Sequence, residues 1–76
     1  MSEAMVREYA GFERSVLHDM AVSGVKQGCL KTSFNVLAEL KYRGANTTLQ
    51  RTLDDIDPDK RDYFVRKLKT VKVMTA

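Results

Sequence analysis

Residues 57–71, Asp57-Pro58-Asp59-Lys60-Arg61-Asp62-Tyr63-Phe64-Val65-Arg66-Lys67-Leu68-Lys69-Thr70-Val71, decide the fold class. Aspartate before proline is how a helix starts. The carboxylate accepts a first-turn amide, proline takes the first helical position where its missing N–H is harmless, and the acid sits at the positive end of the dipole. Behind that start Phe64, Leu68 and Val71 recur at i, i+4 and i+7 as a buried stripe, flanked by Tyr63 and Val65. From Val71 to Met74 the pattern fits either a fraying helix end or a short strand.

The same periodicity continues upstream. A short third segment has Asn46 and Thr47 as capping candidates, a Thr47/Gln50 spacing like a weak capping box, and Leu49, Leu53 and Ile56 as its apolar edge. The second segment starts near Gln27, or at Thr32-Ser33 if that pair caps it, and stops at Gly44. It turns Leu30, Phe34, Leu37 and Leu40 to the core and leaves the Glu39/Arg43 pair on a solvated flank. The first runs from about Glu3 to Val22. There Met5, Tyr9, Phe12, Val16 and Met20 fall within an arc of ~80°, Val6 and Leu17 widen it, and Arg7, Arg14 and His18 lie opposite. Ser23-Gly24 is its expected stop, and Gly11 would cost it roughly 1 kcal/mol relative to alanine. The expectation is one all-α domain over residues 1–76: a compact bundle of three main helices plus one short helix.

At 76 residues and 43% hydrophobic composition, the chain can bury one modest core and leaves little room for a deep catalytic cleft. One cysteine, Cys29, cannot form a disulfide within the chain, so a reducing, cytoplasmic setting is expected. No leader-like segment opens the sequence and no membrane-length apolar run occurs in it, so no membrane partner is expected. One histidine and one cysteine cannot supply a closed zinc site, and no nucleophile signature surrounds a serine. Asp54, Asp55, Asp57 and Asp59 resemble a calcium loop until Lys60 and Arg66 fall where glycine and glutamate are required. The reading is therefore non-enzymatic, with no catalytic residues, metal or cofactor. Cys29 is expected to be a small buried hydrophobe and His18 a surface residue.

Charge is distributed unevenly. Residues 60–76 carry net +5 and residues 1–59 net −2. Lys60, Arg61, Arg66, Lys67, Lys69 and Lys72 are the candidate nucleic-acid-binding residues, with Lys60, Arg66 and Lys69 on one side of the fourth helix and able to displace counterions from a phosphate backbone. The same residues also suit an ordinary solvated face, with Asp62 and Arg66 paired at i,i+4 and cations near the helix C-terminus. The aspartate block caps the helix, but at the front of a recognition helix it would repel phosphate.

The stretch Phe34–Met74, FNVLAELKYRGANTTLQRTLDDIDPDKRDYFVRKLKTVKVM, resembles the layout of helix-turn-helix and winged-helix DNA-binding proteins: supporting helix, Gly44 break, short helix, turn at Ile56-Asp57, second helix ending in basic residues. The resemblance covers about half the chain. It implies that Pro58–Lys69 enters a major groove, with Lys60 and Arg61 near bases and Arg66, Lys67 and Lys69 near phosphates. The sequence departs from that pattern in its acidic turn, in lacking a small-residue-plus-glycine turn and in lacking a clear wing. The pieces DMAVSGV at 19–25, NVLAE at 35–39 and RDYFVRKL at 61–68 are similar in order to the theta subunit of bacterial DNA polymerase III, which implies a non-catalytic accessory role bound to a proofreading subunit. That alignment needs an extra segment of roughly a dozen residues between Gly44 and Asp55, and no residue is carried over from it. The favoured function is a small DNA-binding regulator or nucleic-acid-associated accessory protein. The alternative is a protein-interaction adaptor or inhibitor acting through the apolar first helix, with a homodimer as one form of it.

Overall fold

A computed structural model describes residues 9–71. It contains four helices in chain order: α1 (Arg14–Lys26), α2 (Leu30–Tyr42), α3 (Asn46–Asp55) and α4 (Pro58–Leu68). The described residues include no strand, and the all-α expectation holds. The third helix is the shortest, at ten residues. Met5, Val6, Arg7, Lys72 and Met74 lie outside the described residues.

Glycine backbones set the two interior turns. Gly28 and Gly44 have φ of 80° and 75°, the left-handed region that L side chains resist. Each follows a helix end closed by a pair of reversed hydrogen bonds. Gly28 N–H donates to Val25 and Cys29 N–H to Gly24; likewise Gly44 N–H donates to Lys41 and Ala45 N–H to Leu40. The stop of α1 is thus Gly28 rather than Gly24. This turn also places Cys29 on the surface instead of in the core, because a tight connection exposes its side chains.

α2 lies at the centre. Val36, Leu37, Ala38, Glu39 and Leu40 are all buried, and five consecutive residues on a helix point in every direction around its axis. Leu17 and Ala21 of α1, Leu53 and Ile56 on the α3 side, and Phe64 and Leu68 of α4 complete the core around it. Leu30, Phe34, Leu49 and Val71 pack partly buried at its edges. The Glu39/Arg43 pair does form, with Arg43 Nε donating to Glu39 Oε2 over 2.7 Å. However, Glu39 is only 2% exposed, so the pair is interior and not a solvated flank. Arg43 also donates to the carbonyls of Tyr9 and Ala10, which ties the chain ahead of α1 to the end of α2.

α1 differs most from its expected form. It begins at Arg14, and Gly11 lies in the preceding turn. Its buried residues are Leu17, Ala21 and Gly24, while Phe12 and Val16 are 43% and 44% exposed. At 100° per residue the core-facing direction is about 105° from the centre of the expected stripe, on the side that Leu17 was expected to widen, and Tyr9 and Met20 of that stripe stay partly buried against the core. The cause is close packing through small residues. A Cβ added to Gly24 would stand 2.2 Å from Ser33 Oγ, and Ser33, fully buried, donates to the Ala21 carbonyl over 2.8 Å. Ser33 is therefore an interhelix contact and not a cap. At α3, Ala45 occupies the cap position with no side-chain capping bond, and Gln50 donates to Asp54 instead of completing a box.

Candidate nucleic-acid interface

α4 starts as its sequence dictates. Asp57 Oδ1 accepts from the Asp59 amide at 3.0 Å, Pro58 is the first helical residue, and the Lys60 and Arg61 amides both return to the Asp57 carbonyl. Phe64 and Leu68 anchor it to the core. At the other end Lys41 Nζ of α2 donates to the Leu68 carbonyl, supplying a cation where the helix dipole is negative.

The cations of α4 do not form one stripe. Stepping 100° per residue from Lys60, Lys67 falls about 20° away, while Arg66 and Lys69 lie about 120° and 180° round the axis, so Lys60 does not share a side with them. Lys60 is exposed near acids and lines a small surface hollow with Asp55 and Asp57. Arg61 is turned to Asp54, its Nη1 3.5 Å from Oδ1. The expected Asp62–Arg66 pair is not among the ion pairs of the described residues. Arg66, Lys67 and Lys69 are exposed, and none of them has a carboxylate partner among the described residues. Lys72 lies outside the described residues.

Of the six candidates, Arg66 and Lys69 lie about 60° apart on one side of α4, while Lys67 lies about 160° from Lys69, on the side of Lys60; all three stand in the stretch 63–71, which contains no acid. Two aromatic rings flank Lys67. Lys67 Nζ stands 5.3 Å from the Tyr63 ring centre and 5.5 Å from that of Phe34 on α2, within cation–π range. Tyr63 is 41% exposed and packs edge-on against Phe64 at 5.3 Å. Sequence reading treated Phe34 only as core and gave Lys41 no role. The i,i+4 spacing of Tyr63 and Lys67 was the available signal; the contribution from α2 had none in the linear sequence.

Elsewhere His18 links two helices. Its Nε2 is 2.6 Å from Asp55 Oδ2 on α3 and its Nδ1 2.9 Å from Asp19 Oδ1, with the side chain 23% exposed. The hydrogen bonds to Asp19 and then Asp55 hold its pKa above the ordinary 6.5. It is a partly buried clamp rather than a free surface residue. Among the described residues no His/Cys/Asp/Glu group could hold a metal ion, and no helix is long and apolar enough to cross a membrane. Comparisons with protein-family models, with curated proteins and with solved structures give no match.

Proposed function

We propose that this chain is a non-enzymatic, nucleic-acid-associated protein of a cytoplasmic setting that grips a phosphate backbone with the C-terminal half of α4. The observation that carries this reading is the acid-free run 63–71, which holds Arg66, Lys67 and Lys69 exposed with no carboxylate partner among the described residues. Asp57, Asp59 and Asp62 crowd the N-terminal half, the half that a recognition helix uses to read bases. Backbone contact therefore fits this helix better than base readout, and binding should be strong in salt dependence and weak in sequence preference.

Fluorescence anisotropy of a labelled random duplex tests the proposal. Three phosphate contacts give a slope of log K on log salt of about −2.7, hence about a 40-fold loss of affinity between 50 and 200 mM salt. Replacing Arg66, Lys67 and Lys69 with glutamine should flatten that dependence. Absence of binding at the lower salt rules the reading out.

A second reading rests on Phe12 and Val16, exposed four residues apart beside Tyr9, whose ring meets that of Phe12 edge-on at 5.9 Å. This patch suits a protein partner or a second copy of the chain. Solution mass by light scattering, compared with that of Phe12→Ser, tests self-association: a dimer that the substitution dissociates supports this reading, and a monomer disfavours its homodimer form.

A further inference from the structure

A surface groove lies away from α4, between the front of α1 and the front of α3, and its walls include Arg14, His18, Arg43, Thr47, Thr48 and Arg51. The two helices run alongside each other in the same direction. Residues early in α1 meet residues early in α3 across this groove, while Val22, Val25 and Lys26, late in α1, meet Asp55 at the end of α3. That register fixes which side chains face each other. His18 bonds Asp55 across the interface; one turn earlier on each helix stand Arg14 and Arg51. The attractive pair is thus followed, about 6 Å along each helix, by two arginines that line the same groove.

No carboxylate among the described residues pairs with either arginine. Among the described residues, neither the Arg14 nor the Arg51 side chain has an ion-pair or hydrogen-bond partner. Of the two acids on the groove wall, Asp19 is held by His18, and Glu13 makes no ion pair with either arginine. Arg43 is already committed to Glu39 and to the Tyr9 and Ala10 carbonyls. We infer that the groove is a binding site for a phosphoryl group, with Arg14 and Arg51 gripping its oxygens from opposite walls. The planar fork of each guanidinium matches a tetrahedral oxyanion and offers two parallel donors to it. The first turn of α3, which lacks a capping side chain, adds a field of the same sign but is not what defines the site.

The phosphoryl group belongs either to a small phosphorylated molecule or to a nucleic-acid backbone, and one experiment separates these. Inorganic phosphate is titrated into the full chain at constant ionic strength, with chloride as the balancing salt, while ¹H–¹⁵N spectra follow the arginine Nε–H groups and the backbone amides. The expected result is saturable shifts at Arg14 and Arg51 that chloride alone does not produce. Arg14→Gln and Arg51→Gln should each weaken the apparent affinity about tenfold, and both side chains are exposed, so the spectra should keep their dispersion. A short single-stranded oligonucleotide that displaces phosphate from these resonances identifies the backbone source. One that perturbs only α4 identifies a small phosphorylated ligand; either outcome supports the site. Shifts reproduced by chloride, or unchanged in both variants, overturn it.

Discussion

Single atoms decide how α1 meets α2. Gly24→Ala drives a methyl group to within 2.2 Å of Ser33 Oγ, an overpacking that should cost about 1–3 kcal/mol in chemical denaturation. Removing that hydroxyl leaves the new methyl at 3.4 Å from the Cys29 carbonyl and 3.5 Å from Cβ of residue 33, close to ordinary contact. Gly24→Ala combined with Ser33→Ala should therefore recover part of the loss, and a strictly additive double variant would contradict the packing described.

The His18 clamp makes a second prediction at the same scale. Its folded pKa is raised above 6.5 by Asp19 and Asp55, so protonated histidine favours the folded state. The associated stability is fully present below pH 6.5 and is lost as pH rises through the folded pKa. Thermal unfolding from pH 6 upward should show a fall in Tm that His18→Gln and Asp55→Asn both flatten. Parallel curves for wild type and variants would sink the clamp.

Among the elements, α4 is the one whose sequence and structure agree most closely, because its determinants are local. An acid, a proline and an i, i+4 apolar pair all act within a few residues. Asp57→Ala should cost about 1 kcal/mol, measured by urea denaturation, whereas Asp59→Asn, which leaves the capping oxygen in place, should cost clearly less. α2 and the Gly44 stop were legible for the same reason. α1 was not, and the misreading has a physical origin. Apolar periodicity weighs large side chains, so Phe12 and Val16 outvoted Ala21 and Gly24, whose smallness is what lets α2 approach. The buried position of Glu39 was equally hidden, since an i,i+4 acid–base pair has the same spacing inside or outside a core. On α4, the run of basic residues was visible in linear charge, while the turning of Arg66 and Lys69 away from Lys60 and the contact of Lys67 with Phe34 follow from helix phase and tertiary packing.

At the scale of the whole molecule, two sets of exposed cations lie on different elements. One is the Arg66–Lys67–Lys69 half of α4; the other is the Arg14–Arg51 groove between α1 and α3. If both engage one nucleic acid, glutamine substitutions in the two groups should lower the salt slope by comparable amounts per charge, each phosphate contact contributing about 0.9 to it. If the groove serves a small ligand, only the α4 substitutions should change it. Anisotropy at several salt concentrations reads this directly.

The enclosure of α2 also orders how the molecule opens. Its central residues Val36–Leu40 are covered on every side, so their amides can meet solvent only when the neighbouring helices have already detached. α4, held chiefly by Phe64 and Leu68, can peel away while the other three helices stay associated. Native-state hydrogen exchange should therefore find the slowest protons along Val36–Leu40, exchanging only through global unfolding, and faster exchange along α4 through a partial opening. The surface offered to a polyanion would then be carried on the part of the protein that is most easily released.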